Sequence, residues 1–216
     1  MTALLPRPVP APTLLSVGAT VPSSPPGPAV CAATRILTPN GPRAAGALRP
    51  GDAVCTAEGK AALLRNVARH CVDVATLRRH AGLAPVRIRR GALGEGRPWR
   101  DLAVSPAQLL RLEGCAVEEF CGADSLLVPA SLLVDGLAVT RAGLTTPVRY
   151  VTLAIAVPGC LWAEGIAAHP ADGLHAESAS PCPGDRSAVA AARMAATPGV
   201  APCELRALMA YFARRA

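Results

Sequence analysis

The segment "AVCAATRILTPNG", residues 29–41, sets Cys31 directly before an alternating apolar and polar run that ends in an Asn-Gly turn pair. Cysteine is the most nucleophilic common side chain near neutral pH, so Cys31 is a candidate for attack on the Val30 carbonyl. An acyl shift of that kind also needs a proton donor for the departing nitrogen. The competing use of Cys31 is a small packed hydrophobe, the commoner fate of a free cysteine.

Other reactive residue types are spaced less tellingly. Cys115 and Cys121 have five residues between them, and His169, His175 and Cys182 are similarly spread. None of these has the tight Cys-x-x-Cys pairing of a structural zinc site, so no metal and no other cofactor is expected. Asp52 follows Pro50-Gly51, where a carboxylate caps a turn.

Short strands and turns must position these groups. Aromatics make up 3% of the chain while it holds 22 prolines and 19 glycines, a composition that favours a mainly β fold. "TRILTP", the Asn40-Gly41 turn and "ALRPGDAV" read as strand, turn and strand, with two strands meeting near Cys31 and Val54. "LLRNVARHCVDV" reads as a strand and "TLRRHAGL" as a short helix or loop. "APVRIRRGAL" places Val86 and Ile88 on one face and Arg87 and Arg89 on the other. Strands follow in "DLAV", "LLRL" and "GADSLLVP", with a short helix after Pro129. "PVRYVTLAI" and "CLWAEG" read as two strands across the Pro158-Gly159 turn.

The chain divides into a Pro-rich leader at 1–28, a β domain at 29–168, and a linker with a helical tail at 169–216. Helical stretches are expected near 185–196 and 202–215, the second with Leu205, Leu208, Met209 and Phe212 on one face. That face is expected to dock on its own domain.

The pieces "TRILTPNG", "LRPGDAV", "LAPVRIRRGALGEGRPWRDLAVSP", "GADSLLVPASLLVDG" and "VRYVTLAI…AEG" stand in an order that resembles the Hint domain, the hedgehog/intein self-processing fold, in its bacterial form. The resemblance implies a compact all-β horseshoe with the processed end of the chain at its centre. It implies protein splicing or autoproteolysis, in which an opening cysteine turns the preceding peptide bond into a thioester. On an ungapped match, Ala29 falls at the nucleophile position and Cys31 comes two residues late, about 6 to 7 Å further along a strand. Ser105 and Gln108, in "SPAQ", stand where the family resembles Ser-Pro-x-His, and glutamine can donate a hydrogen bond but cannot deliver a proton at neutral pH; Thr152 stands where a histidine often follows Tyr-x. Glu164 in "AEG" matches a position read as structural. His70, His80, His169 and His175 lie elsewhere in this pattern. The resemblance thus implies a degenerate site, with a structural or binding role remaining; residual autoprocessing at Val30-Cys31 is the alternative, with the chain's own N-terminal segment as substrate.

Composition limits other functions. The net charge of +7 rests on arginines scattered along the chain, so nucleic-acid binding, the third reading, lacks its clustered basic footprint. No small-molecule ligand is evident. No window reaches the roughly 18 apolar residues of a membrane span, and the prolines of the leader make a poor secretory signal. A cytoplasmic chain with reduced thiols is expected, with export by a signal-less route left open.

Overall fold

The structure, a computed structural model, describes residues 27–171 and 202–214. Thirteen strands build it: β1 (Val30–Cys31), β2 (Arg35–Thr38), β3 (Gly41–Ala44), β4 (Ala53–Cys55), β5 (Ala61–Val72), β6 (Val86–Ile88), β7 (Leu102–Val104), β8 (Leu109–Glu113), β9 (Ser125–Pro129), β10 (Val139–Arg141), β11 (Val148–Ile155), β12 (Leu161–Ala163) and β13 (Ile166–Ala168). Three α-helices accompany them: α1 (Val74–Arg79), α2 (Cys115–Cys121) and α3 (Pro202–Ala213). The strands form a seven-stranded sheet in the order β10-β6-β7-β1-β11-β5-β4 and a six-stranded sheet in the order β3-β2-β12-β13-β8-β9. All their pairings are antiparallel.

Alternation along each strand divides buried from exposed side chains. In β6 this buries Val86 and Ile88 and exposes Arg87, which pairs with Asp101 across a 2.6 Å contact. The arginines of that segment are therefore a solvated face. The long β5 and β11 pair from Val72–Val148 to Leu64–Ile155 and form the spine of the first sheet. Between the two sheets lies one apolar core that includes Ile36, Val54, Val104, Leu110 and Ala163. A smaller cluster, with Ala29, Val72, Leu77, Leu83, Val148 and Tyr150, fills the other face of β1 and β11 under α1. Asp73 caps α1 by accepting from the Thr76 N–H at 2.6 Å.

The tail packs as expected. Leu205, Leu208, Met209 and Phe212 of α3 are buried in the main core, beside α2. Each fully buried side chain of this size stabilises the docking by up to about 1.5–3 kcal/mol. Phe212 packs against the turn at Gly94, where an added Cβ would come within 2.8 Å of its ring.

One local expectation is corrected, and two features go beyond the sequence pattern. β1 and β4 share a sheet but do not meet, because β11 and β5 lie between them. β11 and β12 form on either side of the Pro158-Gly159 turn as expected, and they belong to different sheets, so the turn is a crossover. The segment "CAVEEFC" forms α2, bounded by Gly114 and by the left-handed Gly122 (φ 61°), where the sequence pattern gave only strands on either side. The helix expected near 185–196 lies outside the described residues.

Candidate functional site

The two residues of β1 occupy the middle of the larger sheet. Val30 pairs with Val151 of β11 on one side and Val104 of β7 on the other. Immediately before it, Ser105 grips the chain at three points. The Ala29 N–H donates to Ser105 Oγ (3.1 Å), the Ser105 hydroxyl donates to the Gly27 carbonyl (2.9 Å), and the Ser105 N–H donates to the Ala29 carbonyl (2.8 Å). Ser105 is fully buried, so its hydroxyl has no water to exchange with. The Pro28–Ala29 peptide is thereby fixed at the centre of the horseshoe.

Ser105 can do this because "SPAQ" is a tight turn. The Gln108 N–H donates back to the Ser105 carbonyl at 3.0 Å, and the Ser131 N–H donates to the Pro106 carbonyl at 3.0 Å. The turn also buries the Gln108 side chain. Its amide Nε2 donates to the carbonyls of Leu109 (2.9 Å) and His169 (2.7 Å). Both donor hydrogens are spent on backbone, and none is directed at the Pro28–Ala29 peptide.

Pro28, Ala29, Val30, Gln108, Val151 and His169 line a small cleft here, with room for about one water molecule. His169 is a correction to the sequence pattern, which set all four histidines apart from the site. It follows β13, donates its N–H to the Leu109 carbonyl (2.9 Å), and holds its ring Nδ1 2.8 Å from the Pro170 carbonyl. No local motif signals it; the antiparallel pairing of β13 with β8 carries it beside Gln108.

Cys31 and Thr152 are not brought to this cleft. Alternation sends Val30 and Val151 toward the main core and the cleft, and sends Cys31 to the opposite face. Thr152, two residues after Tyr150, shares that opposite face. There Cys31 packs half-buried against the cluster of Ala29, Val148 and Tyr150, and burial pushes its thiol up to about 12. The neighbouring Tyr150 is raised as well, first by burial, and its hydroxyl donates to the Leu83 carbonyl at 2.7 Å. The thiol therefore meets an apolar pocket and a committed phenol.

Two further residues match their expected roles in turns. Asp52 accepts from the Arg49 N–H (2.9 Å) and Glu164 from the Arg35 N–H (2.8 Å).

Strand order, the central β1 and the Ser105 turn together give a chain folded around its own entering segment. The sequence matches the Hint domain over residues 28–181. The chain belongs to the Hint domain family. Solved structures similar to this Hint domain include the gp41-1 intein, at 14% identity and a TM-score of 0.45, covering 67% of this chain and 99% of that one. The MchDnaB-1 intein is another, at 14% identity and a TM-score of 0.42, covering 65% of this chain and 98% of that one. Among curated proteins none matches.

Among the described residues, no group of three or more His, Cys, Asp or Glu side chains is arranged to hold a metal. No helix in that set is long and apolar enough to cross a membrane.

Proposed function

We propose that this Hint domain has exchanged self-cleavage for a structural or binding role, in which it holds its own N-terminal segment at the centre of the horseshoe without cutting it. The observation that carries this reading is the division of the site between two faces. Gln108 lies with Val30 at the cleft, and Cys31 lies on the other face of the same strand.

The chemistry supports it step by step. Thioester formation at Pro28–Ala29 needs a nucleophile on residue 29, and alanine supplies a methyl group. Formation at Val30–Cys31 would need a thiolate, but burial holds the Cys31 thiol neutral, at about 12. It would also need that peptide to leave a strand paired on both sides at Val30. Departure of the nitrogen would need an acid, while the Gln108 amide holds two carbonyls. The Ser105 contacts remain, and they bind the segment.

The test is the intact mass of the purified full chain before and after incubation with dithiothreitol. An unchanged mass is expected in both. A fragment beginning at Ala29 or Cys31, produced faster with thiol, would establish autoprocessing and overturn the reading.

A further inference from the structure

On another part of the surface, Trp99 stands 57% exposed and is the one aromatic among the large exposed hydrophobic side chains described. It is nonetheless held firmly. Its N–H donates to the Glu164 carbonyl (2.8 Å), and its ring rests on Gly165, where a Cβ would come within 2.7 Å of the ring atoms. The platform beneath it is a strained turn, with Glu164 at φ 48° and Gly165 at φ 83°. A non-glycine residue in that region is costly and persists where the surrounding structure demands it. The turn thus keeps a large apolar plate rigid and wet.

Arginines adjoin the plate along the backbone. Arg100 follows it in sequence, and Arg35 is joined to it through Glu164, whose N–H donates to the Arg35 carbonyl at 3.0 Å. Arg97 lies with its guanidinium 5.5 Å from the centre of the Trp162 ring, so both tryptophans of the chain belong to this patch. No ion pair among the described residues involves Arg35, Arg97 or Arg100. The Glu164 carboxylate accepts from the Arg35 backbone N–H.

We infer that this patch, Trp99 with Arg35, Arg97 and Arg100, is a docking surface for an acidic peptide segment of a partner protein that carries an apolar anchor. Tryptophan and arginine are the residue types that dominate binding energy at interfaces, and a pre-fixed ring loses little entropy when covered. The three unpaired guanidiniums select carboxylates. A single-stranded nucleic acid fits less well. Successive bases need successive ring faces along a basic groove, and here the second ring, Trp162, is already covered by Arg97. The surface is independent of the Ser105 clamp and stands whether or not the chain cleaves itself.

The test is calorimetric titration of the full chain with a short synthetic peptide alternating glutamate and phenylalanine, and separately with oligothymidylate. Saturable peptide binding is expected, weakening as salt rises from about 50 to about 300 mM. Trp99→Ala and Arg100→Glu should each weaken it by about tenfold or more. Arg100 is exposed, so its variant reports on the surface even if Trp99→Ala disturbs the turn. Absence of saturable peptide binding, unchanged affinity in Arg100→Glu, or tighter binding of oligothymidylate than of peptide would overturn the proposal.

Discussion

Single side chains at the clamp carry separable free energies. Ser105 both accepts from Ala29 and donates to Gly27, with no exposure to water. Ser105→Ala would leave the buried Ala29 N–H without its partner, so a loss of about 1–3 kcal/mol is expected, read as a lower urea midpoint with an unchanged slope. An unchanged midpoint would mean that the grip contributes nothing to holding β1. Cys31 makes a different prediction. Its folded thiol is raised from 9.0 to about 12, so the folded chain keeps a proton that the unfolded chain releases. The stabilisation is therefore complete below about pH 9 and falls as pH rises from there toward 12. Tyr150 acts in the same direction, so the Cys31→Ala variant, compared with the parent over that alkaline range, isolates the thiol's share as a shallower decline. Alkylation at pH 8 followed by peptide mapping should modify the exposed Cys71, Cys115 and Cys203 well before Cys31. Equal rates would place the Cys31 thiol in a far more polar setting than its apolar neighbours provide.

Elements add cooperativity that no one residue shows. α3 reaches the core through four apolar side chains, and Phe212 closes on the Gly94 turn. Phe212→Ala should cost about 3 kcal/mol or more if the helix unfolds together with the sheets, seen as a single thermal transition at lower temperature. A separate early transition would instead make α3 a detachable unit. Its apolar face was legible because Leu205, Leu208, Met209 and Phe212 recur at helical spacing. β6, the long β5 and α1 were legible for equally local reasons, namely strict alternation in "VRI" and the break after Val72 at the Asp73 cap. Partnering was not. Nothing near Val54 or Cys31 tells that β11 and β5 come between their strands, and nothing near Pro158 tells that the chain changes sheets there. The same limit hid His169. The Ser105 turn was legible from its sequence order, but its contact with His169 depends on a pairing of β8 with β13 across more than fifty residues. α2 was hidden because its short span "CAVEEFC" has little apolar periodicity and is bounded only by glycines.

At the scale of the whole molecule, the position of β1 decides what a cut would do. β1 lies between β7 and β11 at the centre of the larger sheet, while Pro28 and the residues before it lead into it. Breaking the Pro28–Ala29 peptide would leave every described strand on one side of the cut. On the proposed reading what is missing is chemistry, and the ungapped match assigns the absence to Ala29 and Gln108. The double variant Ala29→Cys with Gln108→His puts a thiol on the face that the Ala29 side chain shares with Cys31, and an imidazole in the buried turn whose Ser105 contacts the Ala29 nitrogen that must depart. In that variant the new sulfur would attack the Pro28 carbonyl, the Pro28–Ala29 amide would break, and the imidazole would protonate the departing amine. Dithiothreitol would then displace the thioester and release residues 1–28. The expected outcome is a thiol-dependent fragment beginning at position 29, with the β-sheet spectrum of the uncut chain and a thermal midpoint lowered by loss of the Gly27 contact and by the new buried amine. Ala29→Cys alone should cleave far more slowly, because the proton donor contributes about 10²–10⁴-fold. If the double variant stays intact while folded, the clamp fixes the Pro28–Ala29 peptide in a geometry unsuited to attack, and the proposed loss of self-cleavage rests on the backbone as well as on the two side chains.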